Sequence, residues 1–431
     1  MLLRPPRINL AVCISLTFAL FAPISSALAQ RIELLPQSPQ SASEAPAFRL
    51  IGFPPDTSVR ISYLQTPPDG QAPSYGSAAL YRTDKSGLVA PGAQPVSGDW
   101  KVADPEAPFW AFKEMPTAPL PPVGIVVVTA EAGPIRAEAR YNLAPRRRVK
   151  TEAVTAFPGA FLVRPANAGK ALPLIIVLGG SEGNADLARG VAPRLASEGF
   201  AVLGLPYYSP DRGQGQAIPG LPSIFSEIPV DRLERVQRWA QADTRVDAER
   251  IGLWGNSKGA EFAIIAAANY PWLDAVVAIV PTDVVLEGFG SGKLERTGTS
   301  SFKLNGRPLP FVPSGPSGRD TVTKQVGRWA NPSQAAAARI PIERFDGLLL
   351  VAGGARDTSL DSSGASQSIA ERRAKKGKAT VSLIFHDVGH DIAGGLSPID
   401  TSRGNSVVST GRARRDVWAA AVRLFRSAWP N

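Results

Sequence analysis

The fold is decided by one stretch of the chain, which reads Ile251-Gly252-Leu253-Trp254-Gly255-Asn256-Ser257-Lys258-Gly259-Ala260-Glu261. Its first four residues are an apolar run that predicts a buried strand, and an alanine-rich run that predicts a helix continues to about Asn269. Serine between two glycines is a weak pattern by itself, and an ordinary turn serine is the alternative. The strand, sharp turn and helix around Ser257 form the context in which such a serine becomes a nucleophile at the edge of a sheet.

Buried strands alternate with amphipathic helices on both sides of this stretch. The predicted strands are 174–178, 200–205, 347–352 and 380–385, and the predicted helices are 187–197 and 230–242. This alternation predicts a mostly parallel sheet with helices on its faces. In such a sheet the loops at the carboxyl ends of the strands lie on one edge, so side chains in those loops can meet.

A serine nucleophile needs a base, and the base needs an acid that holds its tautomer. The chain contains two histidines, His386 and His390. His390 follows a glycine in the loop after the last predicted strand, whereas His386 lies at the end of that strand, so His390 is the predicted base. Asp357 lies just past the preceding strand and is the predicted acid, and Asp361 and Asp387 are the alternatives.

Backbone amides are the predicted donors to an oxyanion. The Lys258 amide lies at the start of a helix, and a second donor is expected from the loop 179–183, for which we choose Gly180. The same loop resembles a phosphate cradle, but it lacks the lysine and Ser/Thr of a P-loop. The spacing of the two histidines would also suit two zinc ligands one helical turn apart. The β-type run before them and Gly389 between them argue against a helix there, and so against a zinc site. We therefore predict neither a metal nor another cofactor.

The length of 431 residues indicates two domains. Residues 30–145 contain short alternating runs such as 58–63 and apolar runs such as 124–128, broken by turns rich in proline and glycine. This pattern is typical of a β-sandwich of hairpins. The predicted fold is therefore α/β, with an immunoglobulin-like β-sandwich over 30–145 followed by an α/β-hydrolase domain over 146–431.

The N-terminus resembles a signal for export. Arg4 and Arg7 precede the apolar run 10–21, and Ala27-Leu28-Ala29 follows, which predicts a cleavable signal peptide over residues 1–29. A membrane span is the alternative, but the run is shorter than the roughly 20 residues that a bilayer needs. The expected product is an exported protein, periplasmic or secreted, with no stable membrane insertion after signal removal and without Cys13, the single cysteine.

The distribution of basic residues argues against a nucleic-acid partner. The formal net charge is +10, but the basic residues are scattered. The short basic clusters at 146–148 and 375–378 have no aromatic residues interleaved with them on which bases could stack. We therefore expect a small-molecule substrate, and the sequence indicates no oligomeric state.

Several motifs, taken together, resemble the family of acyl-CoA thioesterases and bile acid-CoA:amino acid N-acyltransferases over nearly all of the mature chain. They are Ile51-Gly52-Phe53-Pro54-Pro55, Asp84-Lys85-Ser86-Gly87, Pro108-Phe109-Trp110-Ala111-Phe112-Lys113-Glu114-Met115, Gly199-Phe200-Ala201-Val202 with Tyr207-Tyr208, Gly255-Asn256-Ser257-Lys258-Gly259-Ala260-Glu261, and Gly389-His390. By this resemblance Ser257, Asp357 and His390 match the family's triad. Members that transfer acyl groups to amino acids carry cysteine at the nucleophile position, so serine implies hydrolysis. Ala260 departs from members that have a further glycine there.

The expected function is hydrolysis of acyl thioesters through a Ser-His-Asp triad and an acyl-enzyme intermediate. Because acyl-CoA is an intracellular metabolite, an exported carboxylesterase or amidase acting on non-CoA substrates is one alternative. A non-catalytic binding protein with a hydrolase fold is another.

The stretch 288–342 is rich in glycine, proline and serine and is expected to form either a lid over the site or a disordered surface excursion. Pro308 and Pro310 argue against regular structure there.

Overall fold

The computed structural model describes residues 29–36, 45–66, 74–115, 124–143, 147–210, 217–290, 296–313, 332–401 and 405–430. The predicted signal peptide lies outside these residues except for Ala29, so its cleavage and the export of the protein stay predictions. Within the described ranges, no helix is both long and apolar enough to cross a membrane.

Antiparallel strands make up the N-terminal part. They are β1 (Arg31–Leu35), β2 (Ala47–Ile51), β3 (Ser58–Gln65), β4 (Ser74–Arg82), β5 (Ser97–Gly98), β6 (Lys113–Met115), β7 (Ile125–Ala132) and β8 (Ile135–Asn142), with the short helix α1 (Ala107–Trp110) before β6. In the described part of the chain, one sheet has the order β5-β4-β3-β7-β8 with β6 paired to β4, and β1 pairs with β2 separately. The predicted antiparallel β structure is confirmed, whereas α1 was not predicted.

Alternation of buried residues explains how these strands form a core. In β3, Val59, Ile61 and Tyr63 are buried, as are Val126 and Val128 in β7, which is the period of two that a half-buried strand requires. A single apolar cluster joins these side chains to those of β1, β2 and α1. The N-terminal part therefore has a core separate from those of the mixed sheet, to which Ile399 of the C-terminal part also contributes.

The second part is built on a mixed sheet. Its strands are β9 (Val149–Ala153), β10 (Phe161–Pro165), β11 (Leu172–Leu178), β12 (Ala201–Gly204), β14 (Val246–Asn256), β15 (Ala275–Ile279), β20 (Leu348–Gly354) and β21 (Val381–Phe385), and β13 (Ile228–Pro229) lies apart from it. Across the described residues the order is β21-β20-β15-β14-β11-β12-β10-β9. The strands from β21 to β12 run parallel, while β10 pairs antiparallel with both β12 and β9. The predicted α/β fold with a mostly parallel sheet is confirmed.

Helices cover both faces of this sheet. They are α2 (Asp186–Ser197), α3 (Arg232–Ala242), α4 (Lys258–Asn269), α6 (Ser362–Ala374) and α7 (Val407–Ala428), and the shorter α5 (Pro332–Ala337) precedes β20. One apolar cluster contains residues of α3, α4 and α6, and a second contains residues of α2 and α7. Side chains of β11 alternate between the two clusters, which is why the predicted strand 174–178 is apolar at every position.

The described part of the stretch 288–342 is not a disordered surface excursion. It forms β17 (Arg296–Ser300), β18 (Phe302–Leu304) and β19 (Arg307–Pro308) after the short strand β16 (Glu287–Phe289), and Phe302 is fully buried. The expectation that proline excludes regular structure was wrong for Pro308, which pairs with Lys303 while the next residue, Leu309, donates its amide to the Phe302 carbonyl at 3.0 Å. Residues 291–295 and 314–331 lie outside the described residues, and the lid stays a prediction.

The antiparallel part ends at Asn142 and the mixed sheet begins at Val149. The division of the chain between residues 145 and 146 stays a prediction.

Candidate active site

Ser257 lies in the turn that joins β14 to α4. Its backbone has φ +55° and ψ −116°, and its amide donates to the Ile279 carbonyl oxygen at 2.9 Å. This conformation reverses the chain sharply and directs the next residues into a helix. The sequence-based strand, turn and helix at this position are confirmed.

The two glycines that flank Ser257 are needed for close approach of the backbone. A Cβ atom at Gly259 would lie 2.3 Å from the Gly179 carbonyl oxygen, and one at Gly255 would lie 2.2 Å from the Gly259 carbonyl oxygen. Both distances are far below van der Waals contact, so no larger residue fits either position without moving the backbone. The glycines thus let α4 begin directly against the loop after β11.

The three residues predicted from the sequence form one line of hydrogen bonds. The distance from His390 Nε2 to Ser257 Oγ is 3.0 Å, and that from His390 Nδ1 to Asp357 Oδ2 is 2.8 Å. Ser257 is 9% exposed, His390 8% and Asp357 1%. Ser257 follows β14, Asp357 follows β20 and His390 follows β21, so the carboxyl edge of the sheet brings together Ser257 and His390, which are 133 positions apart.

Asp357 is held in one orientation by a set of donors. Its Oδ1 accepts from the amides of Ser359 at 2.8 Å and Leu360 at 3.1 Å, and its Oδ2 accepts from Ser362 Oγ at 2.7 Å. Burial raises the pKa of Asp357, but the charge of His390 and these hydrogen bonds outweigh it and hold the pKa below its usual range. An ionised Asp357 accepts a hydrogen bond from the Nδ1–H group, which leaves Nε2 as the acceptor that faces Ser257.

Sequence reasoning missed Ser362, the side-chain partner of Asp357. Serine is common at the start of a helix, and this one opens α6, so no local pattern separates it from an ordinary helix-start residue. Only the contact between α6 and the end of β20 reveals it.

The alternatives for the acid and the base have other roles in the structure. Asp361 is the N-cap of α6 and accepts from the Gly364 amide at 3.1 Å. Asp387 pairs with Arg356 at 2.7 Å on the surface, and His386 is exposed. The segment between the two histidines is not helical, and among the described residues no group of three His, Cys, Asp or Glu side chains is placed to hold a metal ion.

The two predicted oxyanion donors differ in their present partners. The Lys258 amide is at the first position of α4, and no described residue accepts a hydrogen bond from it. The Gly180 amide donates to Glu182 Oε1 at 2.7 Å. A Cβ atom at Gly180 would lie 2.7 Å from Glu182 Oε2 and 3.1 Å from Ser257 Cβ, which places this carboxylate beside the serine.

The Lys258 side chain lies in a buried cluster. Its Nζ donates to Glu261 Oε2 at 2.5 Å and to Ser301 Oγ at 2.7 Å, and it lies 5.1 Å from the ring centroids of Phe225 and Phe302. Glu261 Oε1 accepts from the Leu286 amide at 2.9 Å. The pair therefore fastens the first turn of α4 to β18 and to the chain before β16.

A hydrogen-bonded serine, imidazole and carboxylate next to a helix N-terminal amide can carry out acyl transfer to water. A family model described as BAAT / Acyl-CoA thioester hydrolase C terminal matches residues 229–425, which contain all three side chains. The chain resembles the family of acyl-CoA thioesterases and bile acid-CoA:amino acid N-acyltransferases over this segment. The resemblance inferred from the motifs is confirmed, and it supports a hydrolase of the thioesterase and esterase class.

Other comparisons give further similarities. A model of the dienelactone hydrolase family matches residues 159–293. Acyl-coenzyme A thioesterase 1 of Rattus norvegicus is 26% identical over 330 residues, which cover 75% of this chain and 74% of that protein. YitV of Bacillus subtilis, named as an esterase, is 27% identical over 146 residues, which cover 33% of this chain and 57% of that protein. A crystal structure described as a dienelactone hydrolase of Klebsiella pneumoniae has a TM-score of 0.44 and 19% identity and covers 65% of this chain and 99% of that one.

Proposed function

We propose that the protein is a serine hydrolase that cleaves acyl thioesters through an acyl-enzyme intermediate. The observation that carries this proposal is the hydrogen-bonded line from Ser257 through His390 to Asp357. The family contains thioesterases, and the nucleophile position holds serine rather than the cysteine of its acyltransferases. We also propose export, on the N-terminal pattern alone, so the natural acyl donor need not be a CoA thioester.

The proposed reaction has two halves. In the first, Ser257 Oγ attacks the acyl carbonyl carbon while His390 Nε2 takes the hydroxyl proton, and the carbon–sulfur bond breaks as the imidazolium returns that proton to the thiolate. In the second, His390 takes a proton from water, the resulting hydroxide attacks the acyl-serine ester, and the serine oxygen leaves with the proton. Asp357 holds the imidazole and stabilises its charged form in both halves.

The Lys258 amide supports the negative oxygen in this scheme, because it points from the start of a helix and has no described partner. The Gly180 amide can contribute only after Glu182 releases it, since one N–H cannot serve two acceptors. A carboxylate next to a developing oxyanion also repels it.

We expect Glu182→Ala to raise kcat/KM for small esters by roughly tenfold, because an oxyanion donor is generally worth about 10² or more and part of that value is now lost to Glu182. Glu182→Gln keeps an acceptor without the charge, and a smaller rise is expected. Steady-state kinetics with p-nitrophenyl butyrate measures both variants. A tenfold fall for Glu182→Ala would show that Glu182 assists the reaction and does not block the Gly180 amide.

A panel of acyl donors with a shared acyl group tests the proposed function. Butyryl-CoA, a butyryl thioester of a small thiol, p-nitrophenyl butyrate and a butyryl amide differ only in the leaving group. We expect turnover of the small thioester, and we expect Ser257→Ala to remove all turnover and all labelling by a fluorophosphonate probe. Equal turnover by Ser257→Ala would end the proposed mechanism.

The other outcomes separate the alternatives. Turnover of the ester but of neither thioester would favour a carboxylesterase. The match to the dienelactone hydrolase family model supports this alternative. Turnover of the small thioester without turnover of butyryl-CoA would favour a non-CoA substrate. A folded protein that neither turns over the panel nor reacts with the probe would be a binding protein.

A further inference from the structure

The segment that carries His390 has little regular structure of its own. It leaves β21 at Phe385 and reaches α7 at Val407, and its described residues form turns and extended chain. A base on such a segment must be fixed from outside, because a displacement of about 1 Å at a reacting group can lower a rate about 100-fold. The elements that hold this segment therefore decide whether Nε2 faces Ser257.

Arg414 of α7 holds the segment at the residue next to the histidine. Its Nε donates to the Asp391 carbonyl oxygen at 3.0 Å, and its Nη2 donates to Asp391 Oδ2. Its Nη1 donates to the Ser397 carbonyl oxygen at 2.9 Å and to Ser397 Oγ at 3.2 Å. One guanidinium thus links both sides of the turn that follows His390.

The geometry requires arginine. Its planar group offers five N–H donors in a fixed fork, whereas lysine offers three donors from one point. Arg414 is only 4% exposed, and a Cβ atom at Gly394 would lie 2.8 Å from its Cζ, so the turn wraps closely around the guanidinium. A charge this buried is stable only with such partners, and they all lie in the His390 segment.

The N-terminal part of the chain holds the other end of the same segment. The Ile399 amide donates to the Trp110 carbonyl oxygen at 3.3 Å, and the Ile399 side chain belongs to the core of the antiparallel sheets. The Trp110 ring packs so closely on α7 that a Cβ atom at Gly411 would lie 2.1 Å from it. The N-terminal part, α7 and the His390 segment are therefore packed against one another.

We infer that Arg414 is a positioning residue for His390, and that the N-terminal part supports the active site by holding the same segment through Trp110 and Ile399. This inference rests on the proposed function, in which His390 is the base. It assigns a role to the antiparallel sheets that requires no substrate contact: they fix the far end of the segment while Arg414 fixes the near end.

The test compares Arg414→Ala and Arg414→Lys with Arg426→Ala, in the full-length protein. Arg426 is an arginine in the last turn of the same helix, and it pairs with Glu198 at 2.6 Å. For both Arg414 variants we expect kcat for p-nitrophenyl butyrate to fall roughly 100-fold with KM nearly unchanged. The low-field proton NMR signal of the His390–Asp357 hydrogen bond should also disappear. Arg426→Ala should keep kcat and the signal.

Folding is checked by circular dichroism, and Asp391→Asn serves as the second variant because it removes the charge from the loop side of the same contact. We expect a fall in kcat in that variant as well, of roughly tenfold. Folded Arg414→Lys and Asp391→Asn proteins with the parent's kcat and NMR signal would overturn the inference. If His390→Ala were also fully active, the proposed function itself would fail, whereas an inactive His390→Ala beside active Arg414 variants would overturn only the positioning role.

Discussion

His390→Ala is expected to lower kcat for ester hydrolysis by on the order of 10⁵-fold, because without the imidazole nothing takes the proton from Ser257. His390 Nε2 lies 3.0 Å from Ser257 Oγ, and the whole chain contains one other histidine. Deletion of one member of such a hydrogen-bonded unit costs nearly as much as deletion of the unit. Single-turnover and steady-state kinetics with p-nitrophenyl butyrate measure the loss.

The chain supplies a matched control for this substitution. His386 is four positions before His390 in the sequence but is exposed, so His386→Ala changes the same residue type in the same loop. We expect kcat within about twofold of the parent for that variant, since surface substitutions away from special contacts have small effects. Equal losses in the two variants would mean that the loop as a whole, and not the imidazole of His390, is needed.

Lys258→Met is expected to lower the free energy of unfolding by about 3 to 5 kcal/mol, because it leaves the Glu261 carboxylate buried without its partner. The exposed fraction of the side chain is 7% for Lys258 and 0% for Glu261. Burial lowers the pKa of Lys258 and raises that of Glu261, and the charge of each partner opposes the effect on the other. The two ionised forms therefore stabilise each other.

The double substitution Lys258→Met with Glu261→Leu shows whether the ion pair affects stability alone or the reaction as well. Replacing both charges by apolar side chains is often close to neutral, so we expect the double variant to be more stable than Lys258→Met alone. Urea unfolding followed by tryptophan fluorescence measures both variants. Since the Lys258 backbone amide is unchanged, the double variant should keep the esterase activity of the parent, and a Lys258→Met protein as stable as the parent would contradict the prediction.

Local sequence patterns were sufficient for the elements that build the site. The apolar run before Ser257 and the alanine-rich run after it predicted β14 and α4, because strand and helix periods are properties of neighbouring residues. Asp357 and His390 could be selected because parallel strands end at one edge, so a position just past a strand already implies proximity to the serine.

Contacts between distant segments were beyond the reach of those patterns. The hydrogen bond from Ser362 to Asp357, the hold of Arg414 on Asp391 and the contact of Glu182 with the Gly180 amide all depend on how side chains meet after folding. A serine at a helix start, an arginine within a helix and a glutamate in a loop are common in any chain. None of them carries a pattern by which the sequence alone distinguishes it from a surface residue.

The left-handed backbone at Ser257 lowers the stability of the fold at the residue that the proposed reaction needs. A side-chain-bearing residue at φ +55° carries strain of order 1 kcal/mol or more, and glycine is the residue that relieves it. Ser257 therefore makes the folded protein less stable than a glycine at the same position would. A search for heat-resistant variants that ignored turnover would favour replacement of Ser257, the residue on which the proposed reaction depends.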